Sequence, residues 1–150
     1  MRAEDLSIGQ IIDLGEHRVS REEIVDFASK WDPQPFHLDA DFAATTRFGE
    51  LIGSGLHTMA IYQRLAVLGA YRHWAIIAGR RIREVGFTKP LRPGTTVRAT
   101  VVVDTVTPES ADRSLVRKTG RVLQGDHVLM TLKIDVYVLR RPTAGEAFPH

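Results

Sequence analysis

Gly55-Leu-His-Thr-Met-Ala-Ile-Tyr-Gln-Arg-Leu-Ala-Val-Leu-Gly-Ala-Tyr71 is the stretch whose reading decides the fold. On a helix over roughly 55–71, Leu56, Met59, Ala60, Ile61, Tyr62, Leu65, Ala66, Val67 and Leu68 occupy most of the circumference. Only His57, Arg64 and Tyr71 fall seven apart on a narrow polar stripe, with Gln63 beside it. A helix apolar nearly all round is a buried one. In a chain of 150 residues, about the size of one domain, only a sheet curling around the helix can cover that much surface.

The second half supplies such a sheet. Residues 127–139 alternate, with Val128, Met130, Leu132, Ile134, Val136 and Val138 on one face and Lys133 and Asp135 on the other. Residues 96–106 set Val97, Ala99, Val101 and Val103 on one face; 114–123 alternate more weakly; 76–88 read as a strand interrupted by Gly79 and Gly86. Pro90…Pro93-Gly94, Pro108 to Asp112 and Gln124-Gly-Asp126 are the turns between them. The expected class is α+β, with one curled antiparallel sheet wrapped on one long central helix. Residues 1–150 read as one domain without internal repeat, and 142–150 as a loose tail.

Upstream, residues 10–19 read as a short strand. Ser20-Arg-Glu-Glu23 reads as a capping box, and Ile24, Phe27, Ala28 and Trp31 follow at i, i+3, i+4 and i+7. Pro33 ends that helix, and Asp39 or Asp41 can cap a short one through Phe42 and Ala43. Between them lies Trp31-Asp-Pro-Gln-Pro-Phe-His37. Asp32 and Gln34 each precede a proline, so the loop is stiff and extended or turned. Asp32 and His37 are five apart, on different faces of any helix, but a kinked loop lets them converge. A rigid loop with an acid/base pair suits proton transfer. The plainer reading is that Asp32 terminates a helix and His37 is a bonded histidine near the core.

Composition narrows the classes. The chain is 43% hydrophobic and 25% charged, with a net charge of +2 and no long basic run, so neither nucleic acid nor membrane is an expected partner. Sixteen of its 20 basic residues are Arg, which favours bidentate phosphate or carboxylate contacts. The absence of cysteine rules out disulfides, thiolate nucleophiles and Cys-ligated zinc. A cytoplasmic protein is expected, since the first residues lack the apolar run of a signal peptide. Asp32, His37 and His57 lack metal-ligand spacing, so neither metal nor cofactor is expected. His57, on the polar stripe, reads as a bonded interior or interface histidine.

Asp32-Pro-Gln-Pro-Phe-His37, then Asp39 and Phe42-Ala43, resembles the hydratase motif of the MaoC-like dehydratases, R-specific enoyl-CoA hydratases of the hotdog fold. Phe48 through Gly55-Leu56 resembles that family's segment leading to its oxyanion glycine, and Phe87-Thr-Lys-Pro-Leu-Arg-Pro-Gly94-Thr-Thr-Val97 its strand–turn–strand. The resemblance covers roughly 5–140 and departs from the family at Gln34, often Asn, and Ser54, often His. It implies hydration of a trans-2-enoyl thioester of CoA or acyl-carrier protein to the R-3-hydroxyacyl thioester, or the reverse. Asp32, His37 and Gly55 would be catalytic. Gln34 and Ser54 would bind substrate. Gln63 can line the pocket or satisfy a backbone group, and Arg80 and Arg81, with Arg83, can bind CoA phosphates or form a solvated strand edge. A homodimer or a multiple of dimers is implied, with sheets joined edge to edge. The rivals are a hotdog thioesterase and a non-catalytic acyl-thioester binding module.

Overall fold

The computed structural model describes residues 1–143, so the expected tail lies, beyond 142 and 143, outside the described residues. After a 3₁₀ turn at Ala3–Asp5 come β1 (Ile11–Val19), α1 (Arg21–Trp31), α2 (Pro35–Leu38), α3 (Ala40–Ala44) and α4 (Gly55–Gly69). A second 3₁₀ turn, Tyr71–His73, leads into β2 (Ile76–Phe87), β3 (Thr95–Pro108), β4 (Arg113–Gln124) and β5 (His127–Leu139). The strands form one antiparallel sheet in the order β1-β3-β4-β5-β2. It is curled rather than closed, the hotdog architecture. Among the described residues no helix is long and apolar enough to cross a membrane.

The concave face wraps α4. Ile61, Tyr62, Leu65 and Ala66 join Val97, Ala99, Val101, Val103, Val116, Val122, Met130 and Leu132 in one buried cluster. Truncating Leu65, which is 7% exposed, to alanine costs about 2–5 kcal/mol at a site of this kind. Gly120 lets helix and sheet meet: a Cβ there would sit 2.3 Å from the Tyr62 ring. The Tyr62 and Tyr71 hydroxyls share a buried 2.8 Å hydrogen bond, and burial pushes the Tyr62 phenol up to about 12. Lys118, 1% exposed, lays its ammonium 3.4 Å from the Tyr71 ring centroid, and burial pulls it down to about 7.

Two expectations need correction, and a third gains a detail. The sheet covers only one side of α4, so Leu56, Val67 and Leu68 stand 51%, 38% and 44% exposed in the single chain rather than buried. Trp31, the last residue of α1, is 70% exposed rather than on the buried face. Asp135 does point away from the helix, but it is fully buried on the convex face, where Arg83 Nε lies 2.7 Å from Oδ1 and Arg81 and Arg117 flank Oδ2 at 3.6 and 3.9 Å.

Candidate active site

The loop after α1 folds back on itself because of its two prolines. Asp32 is the C-cap of α1, its N–H bonded to the Ala28 carbonyl at 2.9 Å. Pro35 then opens a single helical turn, α2, at the first position, where a missing N–H costs nothing. That turn brings His37 back over Asp32, with Nε2 3.3 Å from Oδ2. The loop is therefore turned rather than extended, and the pair converges from two helix ends.

His37 is 4% exposed and its Nδ1 lies 2.7 Å from the Ile52 carbonyl oxygen. A carbonyl only accepts, so Nδ1 carries a proton. In the neutral ring the lone pair is then on Nε2, beside the carboxylate.

Ser54 is fully buried and caps α4, accepting the Leu56 N–H at 3.2 Å. Its single proton goes to Asp32 Oδ2 at 2.7 Å. The Gln34 amide donates to Oδ1 at 2.9 Å. The Ser54 hydroxyl first, then the Gln34 amide, hold the Asp32 carboxyl below its ordinary value despite some opposing burial, and His37 adds to them when its Nε2 is protonated. Asp32 is a fixed carboxylate with every donor around it accounted for.

Gly55 is the first residue of α4, and its N–H belongs to the first turn, which has no intrahelical acceptor. A Cβ at Gly55 would lie 2.8 Å from the Phe87 ring, so only glycine leaves that approach open.

Asp32, Gln34, His37, Ser54 and Gly55 line one cavity of about 460 Å³ with Phe36, Phe48, Ile52, Leu56, Phe87 and Leu91. The cavity is a polar end on an otherwise apolar slot, a shape suited to a small ligand. Phe48, Phe87 and Leu91 lie within the stretches that carry the family resemblance, but periodicity alone gives no signal that they wall a cavity.

Three expected residues lie elsewhere. Gln63 is exposed on the uncovered side of α4, two turns beyond Gly55. Arg80 donates to the Tyr137 hydroxyl at 3.1 Å, and Arg81 belongs to the Asp135 cluster; neither lines the cavity. β2 carries three register shifts, at 76–78, 79–81 and 82–84, which an alternation pattern does not reveal. His57 turns to Glu23 at 2.8 Å, away from Asp32 and His37. Among the described residues no group of three His, Cys, Asp or Glu is placed to hold a metal ion.

A family model described as "MaoC like domain" matches residues 5–126. The 3-hydroxybutyryl-CoA dehydratase of Methylorubrum extorquens is 33% identical over 142 residues, 94% of this chain and 86% of that protein. The crystal structure of a MaoC-like dehydratase from Rhodospirillum rubrum superposes with a TM-score of 0.85 at 34% identity, covering 95% of this chain and 99% of that one. The (R)-hydratase from A. caviae involved in PHA biosynthesis superposes at 0.70 with 25% identity, covering 89% and 97%.

Proposed function

Because this chain belongs to the MaoC-like domain family, we propose that it hydrates a trans-2-enoyl thioester to the R-3-hydroxyacyl thioester, or catalyses the reverse dehydration. One observation carries the reading: Asp32 and His37 meet at the polar end of a cavity that also holds the first residue of α4.

A water over the pair can hydrogen-bond through one O–H to the Asp32 carboxylate, which takes that proton, and through the other, which it keeps, to His37 Nε2, leaving an oxygen lone pair aimed at C3 of the substrate. Attack forms the C3–O bond, and the C2=C3 π pair moves toward the thioester, placing charge on the carbonyl oxygen. The Gly55 N–H at the positive end of α4 meets that charge. The proton taken from water returns to C2, so the elements of water are added and none is lost. Removing such an oxyanion donor costs about 3 kcal/mol, and a general base contributes roughly 10²–10⁴-fold. Gln34 and Ser54 act through Asp32, holding it ionised and oriented.

The thioesterase alternative needs a nucleophile or base directed at C1. Gly55–Gly69 contains no Asp or Glu, and Glu50, the carboxylate just before it in sequence, is paired with Arg92 at 2.7 Å. The binding-module alternative leaves the Asp32–His37 pair without a use. We take the chain as one such domain, working as a homodimer or a multiple of it. Edge strand β2 exposes Ile77 and Ile82 at 48% and 52%, and an unpaired edge with apolar side chains invites a second sheet; light scattering showing a stable micromolar monomer would oppose that part.

The deciding experiment mixes purified protein with crotonyl-CoA. Loss of the conjugated absorbance with no free thiol, and an R product, is the expected result. Stoichiometric thiol release with the double bond intact would overturn the hydratase reading in favour of the thioesterase.

A further inference from the structure

We infer that a second cleft, walled by Lys89, Arg92, Gln124 and His127 and floored by Leu129, binds a phosphate of the carrier arm to which the acyl group is attached. The inference rests on the thioester reading and goes beyond it by assigning the anionic part of the substrate.

The cleft measures about 510 Å³ and shares Lys89 and Pro90 with the cavity that holds Asp32 and His37. The segment Thr88–Arg92 is the wall between the two, and it is pinned on both sides. Thr88 N–H bonds the Leu129 carbonyl at 2.9 Å, and the Leu91 carbonyl accepts the Gly53 N–H at 2.7 Å. A ligand leaving the acyl cavity past Lys89 therefore enters a cleft whose geometry is fixed by the same strand ends.

Its chemistry is that of an anion site. Lys89 Nζ donates to His127 Nδ1 at 3.1 Å, so the ring proton of neutral His127 is on Nε2 and the ammonium keeps further N–H groups. Arg92 reaches the Phe48 carbonyl at 3.1 Å and Glu50 at 2.7 Å through the same nitrogen, leaving the rest of its guanidinium. No carboxylate forms the wall; Glu50 is bound to Arg92, and Asp126 stands exposed on the adjoining turn. The turn itself is opened by Gly125 at φ +56°, which keeps side-chain bulk from the rim. Arg80 and Arg81, in contrast, are engaged with Tyr137 and Asp135 on β2. Donors converging beside an acyl slot fit a phosphate ester.

The test compares KM for crotonyl-CoA, crotonyl-4′-phosphopantetheine and crotonyl-pantetheine in wild type, Lys89→Gln, His127→Gln and the double variant. We expect the double variant to raise KM for crotonyl-CoA about tenfold more than it raises KM for the pantetheine thioester. If the phosphopantetheine thioester responds like crotonyl-CoA, the phosphate bound is the one that CoA and acyl-carrier protein share; if only crotonyl-CoA responds, it belongs to the nucleotide. An equal rise for all three thioesters, or none for any, overturns the inference. Calorimetric binding of desulfo-CoA separates this from the functional reading. If wild type turns over no thioester, the hydratase proposal fails, yet an about tenfold weaker desulfo-CoA affinity in the double variant still supports the cleft.

Discussion

Two histidine–carboxylate pairs tie the helices of this protein together, and they differ in what each ring leaves free. His37 gives its Nδ1–H to the Ile52 carbonyl and turns Nε2 toward Asp32 at the edge of a cavity. His57 turns Nε2 toward Glu23 and keeps Nδ1 buried without a partner, its ring stacked 4.6 Å from Phe27. Glu23 is further shared with His17, whose Nε2 lies 2.8 Å from Oε1. Both imidazoles are 4% exposed, so burial does not separate them. Access does. A nitrogen that can exchange a proton with a ligand needs open space beside it, and the cavity lined by Asp32 and His37 supplies that to the first pair.

The largest expected effect is at Asp32. Asp32→Asn keeps the shape of the loop and removes the base, so kcat should fall about 10²–10⁴-fold with little change in melting temperature. His37→Ala should lower kcat about 10²-fold, and adding imidazole should not restore the fixed orientation supplied by Ile52. If either variant loses its fold while the remaining native fraction stays fast, the pair is only a helix terminus.

A smaller effect is expected at Ser54. Its hydroxyl is the foremost influence holding the Asp32 carboxyl low, so Ser54→Ala should raise that carboxyl toward its ordinary value. The ionised base is then lost at higher pH, and the acid limb of kcat/KM moves upward. The sign for stability agrees: a depressed carboxylate stabilises the fold above its ordinary pKa, and that contribution fades as pH falls through the folded value. Loss of the α4 cap adds a cost of about 1 kcal/mol. An unmoved acid limb would mean that Ser54 does not tune the base.

The sequence displayed the helix and sheet well, because periodicity reports which side chains share a face. It displayed the polar end of the cavity too, since Asp32, Gln34, His37, Ser54 and Gly55 lie in two short stretches set by prolines and a helix start. What it hid depends on partners distant in the chain. Ser20 accepts the Glu23 N–H at 3.1 Å as a capping box requires, but the Glu23 carboxylate is spent on His17 and His57 instead of returning to Ser20. Arg81 follows a strand bulge to Asp135, 54 positions later. The cleft of Lys89, Arg92 and His127 is assembled from two turns that no local pattern joins.

The smallest effect on catalysis is expected at Glu23, where the comparison between the two pairs is sharpest. Glu23→Ala leaves the buried His57 Nε2–H without its acceptor, which costs about 1–3 kcal/mol, while kcat changes by no more than about twofold. The pH dependence identifies the cause. Burial is the foremost influence on His57 and pulls it below its ordinary value, with Glu23 opposing. The folded state therefore disfavours the imidazolium, and native stability rises with pH between the folded value and the ordinary one. Removing Glu23 lowers the folded value further and widens that window on its acid side. The denaturant midpoint of Glu23→Ala should thus fall further below wild type at pH 5 than at pH 8. A large loss of kcat at an unchanged midpoint would instead make Glu23 and His57 part of the chemistry.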